Sequence, residues 1–410
     1  MTIGFPAIFV VVLAVASLVY AAVLSGFARG LRRLRRNVVI EPAEWPSVSV
    51  ILPARNEAAV LERTLASLFQ QDYPGDWEIV VVDDRSSDDT PRILEEIARS
   101  NGRLLAFRVT DPHPKSPKKN ALALGIRESH GSIIVTTDAD CTYSSGWLRS
   151  MISHMDPKVG VVAGLTMFEL PTPRVPFWQK TQWLDFIVQQ FMAAGAVGYG
   201  VPSSCNGSNL AYRRQVYDEI AGFGTASNQV SGDDVLFAQR VAKLTKWKTV
   251  FATTTDSVVR SLSVLTVREL IHQRLRWASK GLAYRRSMSV FLFGLYAFYF
   301  SWLAAPIIAI LYPATIPGLA LTALWKLAWE FGMVRLGCRL FRQTQLLPYF
   351  LPYVILHVTT SPLFGIGGLI FAYRWKGEWY RTARLPRPLR YRLVRARRAS
   401  RRRRAMETTV

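Results

Sequence analysis

The chain has 410 residues and a net charge of +22, and half its residues are hydrophobic, a high share for a soluble enzyme. Three scattered cysteines (Cys141, Cys205 and Cys338) form no CxxC pair, which excludes a disulfide framework and a cysteine zinc site. The charge is uneven: residues 374–410 carry 14 Lys/Arg against 2 Glu and residues 29–36 carry five Arg, while residues 37–286 are near neutral.

Residues 1–28 contain no charged side chain, so they are long enough and apolar enough for a spanning helix. A signal peptide fits less well, because the segment has no basic start and no clean cleavage site. The arginines at 29–36 place residue 37 onward in the cytosol by the positive-inside rule. With Pro42 and Pro46, residues 29–46 are expected to be a basic linker.

From residue 47 short apolar runs alternate with helical spacing. Val48–Leu52, Glu78–Val82, Leu104–Val109 and Ser132–Thr137 have strand character, and Val159–Met167 is a further strand candidate. Glu57–Phe69, Thr90–Ala98, Ala121–Ser129 and Trp178–Met192 have helical character. The alternation predicts an α/β fold with a mostly parallel sheet covered on both faces, over residues 47–264. Ligands bind such sheets at the carboxyl ends of the strands. Asp83 and Asp84 stand at one such end, and Asp138-Ala139-Asp140 at another.

These residue types fit a definite chemistry. Carboxylates at 83 and 84 can accept from a base N–H or ribose hydroxyls, although Asp and Ser also form ordinary turns. Two carboxylates two residues apart can jointly face Mg²⁺ or Mn²⁺, which prefer oxygen ligands and diphosphate oxygens. Ser231-Gly232-Asp233-Asp234 precedes a helical run, so its carboxylates serve either as caps or as a general base. Gln273-Arg274-Leu275-Arg276-Trp277 lies in an amphipathic segment, 265–286, expected at a membrane interface.

The order of these four clusters resembles glycosyltransferase family 2, in the membrane-bound branch with cellulose, hyaluronan, chitin and poly-N-acetylglucosamine synthases. The resemblance covers roughly residues 47–285 and implies a GT-A nucleotide-sugar fold. It implies that Asp83, with Asp84 beside it, contacts the uracil of a UDP-sugar, that Lys119 in Lys118-Lys119-Asn120 is the donor-site lysine, and that Asp138 and Asp140 hold nucleotide and metal. It implies that Asp234 is the base, with Asp233 beside it. Gln273, Arg276 and Trp277, with the Cys205, Gly207 and Ser208 loop, would line the diphosphate and acceptor end. The family's Thr-Glu-Asp is Gly232-Asp233-Asp234 here, and the membrane part is small beside the processive synthases.

The run 287–325 is long enough for two crossings, bent at Pro313 and Pro317. Residues 343–373 hold three prolines and three glycines and are expected to form a broken or re-entrant element. The 374–410 tail is expected in the cytosol against anionic lipid heads. Nucleic acid is not an expected partner, since the tail interleaves only Tyr391 among its last arginines. The expected activity is inverting transfer to a lipid-linked or polysaccharide hydroxyl at the plasma membrane. The rival readings are an inactive sugar-nucleotide scaffold and a nucleic-acid-binding membrane protein.

Overall fold

The computed structural model describes residues 4–35, 39, 41–112, 114–169, 175–202, 204–224, 231–284 and 286–381. The expected basic tail therefore lies, beyond residue 381, outside the described residues.

Seven strands form the main sheet. They are β1 (Val48–Ala54), β2 (Trp77–Asp83), β3 (Leu104–Arg108), β4 (Ile133–Thr136), β6 (Val159–Ala163), β8 (Leu210–Arg213) and β9 (Lys248–Phe251). Their order is β3-β2-β1-β4-β8-β6-β9, with the first four parallel and β8 antiparallel to both its neighbours. A smaller sheet joins β5 (Cys141–Thr142), β10 (Val259–Leu262) and β7 (Thr166–Glu169). The expected strand 159–167 is thus two strands, broken at Gly164 and Leu165.

Strand periodicity divides the core. Val50 and Leu52 pack on one face with Ile79 and Val81, beside α2 (Leu61–Phe69), α3 (Thr90–Ser100) and α5 (Trp147–Ile152). Ile51, Val80 and Val82 point the other way, toward α4 (Pro117–Glu128) and α6 (Phe177–Gly198). Each such buried side chain is worth at most about 1.5–3 kcal/mol of hydrophobic stabilisation. Helix α4 starts four residues before the expected Ala121, because Pro117 occupies its first turn, where no amide donor is needed. Two shorter helices, α7 (Arg214–Glu219) and α8 (Val235–Leu244), complete the domain.

Helix α1 runs Phe5–Leu34, so the segment expected to begin a linker at 29 is still helical. Ala28, Leu31 and Leu34 recur at helical spacing and are buried, while Arg32 and Arg33 face outward. At this end α1 crosses α6 so closely that a Cβ on Gly30 would collide with the Gly195 carbonyl. Small residues permit such an approach.

After α9 (Val267–Ala278) come α10 (Arg286–Leu311), α11 (Ile316–Leu340) and α12 (Phe350–Ile370). The turn between α10 and α11 falls at Pro313–Thr315, as the prolines imply. The segment 343–373 is a short 3₁₀ stretch followed by one continuous helix, α12, rather than a broken element. Pro352 lies in its first turn, which needs no amide donor, and Pro362 is accommodated inside it. Both ends of α12 return to the catalytic domain: Tyr349 meets Phe177 of α6, and Gly367 and Gly368 pack against Leu275 and Ala278 of α9. A hairpin, β11 (Tyr373–Trp375) and β12 (Glu378–Tyr380), follows where only tail was expected. Its Lys376-Gly377 turn has positive φ at both residues, the geometry of a tight hairpin.

Among the described residues, three helical segments are long and apolar enough to cross a membrane: Phe5–Leu34, Arg286–Leu311 and Thr344–Ile370.

Candidate active site

Strands β2 and β4 flank β1, so their carboxyl ends lie two strand spacings apart, roughly 10 Å. Asp83 closes β2 and is buried, with Oδ1 accepting from the Ser86 amide at 3.0 Å and Oδ2 3.2 Å from Arg108 Nε. Asp84 accepts from Arg85 Nε at 2.9 Å and lies 4.0 Å from Arg55. Both carboxylates are buried and held by their own loop together with Arg108 at the end of β3 and Arg55 after β1.

Across β1, Asp138 and Asp140 follow β4. Lys118, from the first turn of α4, places Nζ 2.6 Å from Asp138 Oδ1 and 3.1 Å from Asp233 Oδ2. Burial works to lower this ammonium's pKa, but Asp138 and Asp233 hold it above its ordinary value. Burial works to raise the Asp233 carboxyl, and Lys118 and Lys119 outweigh it, holding the pKa down at about 2. Asp140 has no such ammonium in contact, and burial followed by the Asp138 charge pushes its pKa up. A hard cation between Asp138 and Asp140 would relieve that cost, so this donor set fits Mg²⁺ or Mn²⁺. Among the described residues no three His, Cys, Asp or Glu cluster as a complete metal site. Two carboxylates suffice where diphosphate oxygens and water supply the remaining ligands.

Asp234 caps α8. Its Oδ1 accepts from the Val235 amide at 2.6 Å, its Oδ2 accepts from the Gly207 amide at 3.1 Å, and Lys280 Nζ lies 3.5 Å away. The preceding Gly232 has φ +88°, a left-handed conformation that a β-branched residue there would strain to adopt. Glycine in the Gly-Asp-Asp sequence therefore suits this turn. The Cys205–Ser208 loop packs beneath, with Ser208 Oγ 2.9 Å from Thr166 Oγ1.

Helix α9 forms the opposite wall. Thr266 and Glu269 make a reciprocal capping box that fixes its start. Trp277 stacks on Phe186 at 5.6 Å, Arg274 lies over the Trp277 ring at 4.9 Å, and Arg276 lies over Trp375 at 5.3 Å. Asp138, Asp140, Asp233, Asp234, Gln273, Arg276 and Trp277 all line one cavity of about 500 Å³.

Residues 49–221 match the family model described as glycosyl transferase family 2. The chain carries a glycosyltransferase family 2 domain. Its relatives include a beta-monoglucosyldiacylglycerol synthase of Trichormus variabilis, 30% identical over 249 residues, 58% of this chain and 49% of the relative. An N-acetylglucosaminyltransferase of Rhizobium meliloti is 29% identical over 267 residues, 59% of this chain and 58% of the relative. The chain spans about half the length of the curated relatives it matches. A solved mannosyltransferase from Pyrobaculum calidifontis, in complex with GDP-Man and Mn²⁺, has TM-score 0.53 and 22% identity over 85% of this chain and 99% of its own. That likeness establishes the GT-A-like fold.

Within the family 2 domain, the two adjacent lysines of α4 meet different partners. Lys119 Nζ donates to the Ser231 carbonyl at 3.0 Å near Asp233 and Asp234, and burial lowers its pKa to about 8. Its neighbour Lys118 makes the direct ion pairs with Asp138 and Asp233. Both are first-turn residues of α4, and adjacency in sequence could not tell which one faces the site.

Other site residues gave no sequence signal. Lys280 is one turn after Trp277 on the same wall. The hairpin delivers Lys376 to Glu57 at 2.6 Å and Glu378 to Arg55 at 2.6 Å. Burial is the main reason the Glu57 pKa rises to about 7. These contacts join residues more than 300 positions apart, beyond any local pattern.

Proposed function

We propose that this protein is a membrane-bound inverting glycosyltransferase that moves a sugar from a nucleoside-diphosphate sugar, with UDP favoured, to a hydroxyl of a lipid-linked or polysaccharide acceptor. The observation that carries this reading is Asp234 lining one cavity with Asp138, Asp140 and Arg276.

The donor's base and ribose lie by Asp83 and Asp84, and its diphosphate between Asp138, Asp140 and Arg276. Asp138 and Asp140 would hold a divalent ion, which would neutralise charge on the diphosphate. Asp234 takes the proton from the acceptor hydroxyl, whose oxygen attacks the anomeric carbon opposite the diphosphate. The new C–O bond forms as the old one breaks, and the electron pair leaves with the nucleoside diphosphate beside Arg276. Lys280 stays near Asp234: burial works to lower this ammonium, but Asp234 raises its pKa to about 12.

Packing supports one membrane frame. Helices α1 and α10 cross the bilayer and α11, although not among the three candidate spans, returns alongside α1, while α12, long enough to span, keeps both its ends at the catalytic domain. The charges Lys326 and Glu330 in α11 are compatible with this, because they pair at 2.7 Å and are buried against α1, where Tyr20 also donates to Glu330. The arginines at the end of α1 support a cytosolic catalytic domain.

Incubating the purified full-length protein with Mn²⁺ and a panel of radiolabelled UDP- and GDP-sugars tests the reading. Transfer to an acceptor with inverted configuration is expected. Retained configuration, or failure to bind any nucleotide sugar, overturns it.

A further inference from the structure

The cavity continues past the QxxRW helix. Beyond Trp277 it runs between α1, α10 and α12, where Phe27, Leu292, Leu295 and Phe364 line it. Helices α10 and α12 also present Val290, Phe293, Leu363 and Ile366 on their outer surfaces, as helices in contact with lipid do. Phe291 lines the cavity and is itself 38% exposed, so the cavity meets the apolar outer surface there.

One strip of this membrane-side half is polar. Asp185 on α6 lies 2.6 Å from Arg274 and accepts from His357 Nδ1 at 2.7 Å. Ser361 and Thr360 lie beside it in the lining, and Gln273 Oε1 is buried with no hydrogen-bond partner among the described residues. The basic groups here are already committed: Arg274 and His357 to Asp185, Lys280 to Asp234, and Lys118 to Asp138 and Asp233. Among the described lining residues Arg276, on the donor side, is the one basic group without a carboxylate partner. Past Trp277 a phosphate group would therefore be desolvated with no unpaired cation among the described residues, a cost that hydroxyls avoid by hydrogen bonding.

We propose that the acceptor is a membrane lipid with an uncharged, hydroxylated head, delivered sideways from the bilayer between α10 and α12. Its head hydroxyls bond to Gln273 and the Asp185–His357 strip, its chains stay against the apolar flanks of the helices, and its reacting hydroxyl meets Asp234. This rests on the glycosyltransferase reading above and selects one acceptor class within it.

The test measures binding rather than turnover. Full-length protein in phosphatidylcholine nanodiscs is irradiated with photoactivatable diacylglycerol, polyprenyl phosphate or phosphatidylcholine, and the labelled peptides are mapped. Diacylglycerol is expected to label residues 288–296 and 360–365 above phosphatidylcholine. Leu292→Trp, which overfills the passage, is expected to cut that labelling about tenfold. Gln273→Leu, which leaves the passage open, is expected to remove the preference for diacylglycerol. Equal labelling by phosphatidylcholine, stronger labelling by polyprenyl phosphate, or no labelling overturns the proposal, as does transfer to a soluble oligosaccharide alone. Nucleotide-sugar binding measured on the same nanodiscs separates the two failures. Donor binding without selective lipid labelling sinks only the lipid acceptor, and loss of donor binding sinks the transferase reading.

Discussion

Lys118 places its ammonium 2.6 Å from Asp138 Oδ1, inside the acidic cluster where a divalent ion is also expected to bind. The lysine and such an ion would thus share the Asp138 carboxylate. Replacing it by methionine (Lys118→Met) leaves Asp138 and Asp233 with less compensation. The loss should be smaller than the ~3–5 kcal/mol of a fully buried pair, because the Asp138 side chain is 35% exposed. Thermal unfolding should show a lower Tm for the metal-free variant, with Mn²⁺ raising it more than it raises wild type. An equal response to Mn²⁺ in both proteins counts against a shared role.

Asp234 caps α8 and is the proposed base, two roles that one substitution separates. It caps α8 through its side chain, and asparagine caps helices about as well as aspartate. Asp234→Asn should therefore still fold, with a Tm lowered by the loss of the Lys280 pair and of one accepted hydrogen bond, while sugar transfer falls about 10²–10⁴-fold. Nucleotide-sugar affinity, measured by calorimetry, should stay near wild type. A folded variant with wild-type transfer would remove Asp234 from the role of base.

The success and failure of sequence reading have physical causes visible in these residues. Asp83, Asp138 and Asp140 were legible because strand ends in a parallel sheet must converge, and short apolar runs mark those ends. Asp234 was legible from its place before a helical run. The choice between Lys118 and Lys119 was not, since it depends on how α4 is rotated against β1. The hairpin at 373–380 was hidden by the basic composition around it, and Asp185 was hidden inside an aromatic helix whose partners, Arg274 and His357, lie 89 and 172 positions away. Long-range ion pairs have no local pattern to betray them.

Asp185 joins three helices, α6, α9 and α12, through Arg274 and His357. It is buried, and although burial raises its pKa, Arg274 and His357 bring it below the ordinary value. Asp185→Asn keeps the shape and removes the charge, leaving Arg274 buried beside Trp277. A cycle with Arg274→Met should give a coupling energy of roughly 0.5–3 kcal/mol in unfolding. Acceptor KM should rise more than donor KM, since α9 lines the acceptor side. Additive single and double variants would mean that the contact is idle.

Divalent ions should be required for transfer. Chelation with EDTA should abolish it, and added Mn²⁺ or Mg²⁺ should restore it. Asp140→Asn should raise the Mn²⁺ concentration needed for half-maximal activity, because it removes one of the two carboxylates proposed to hold the ion. Full activity in EDTA would dispense with the metal and leave charge neutralisation to the cations lining the cavity, Lys118, Arg276 and Lys280.

His154 offers a check on the folded domain that is independent of catalysis. Its Nδ1 donates to the Ser150 carbonyl at 2.8 Å, and its Nε2 is buried without a partner among the described residues. Protonating Nε2 would bury an unsatisfied charged donor, so burial lowers the folded pKa below the usual ~6.5. Below pH ~6.5 the unfolded chain therefore binds a proton that the folded chain refuses. Stability from this group is intact above that pH and declines as pH falls toward the folded pKa. His154→Gln removes the titration, so between about pH 7 and pH 5 the variant should lose less Tm than wild type. Parallel Tm curves for the two proteins across that window would show that His154 is protonated as easily folded as unfolded.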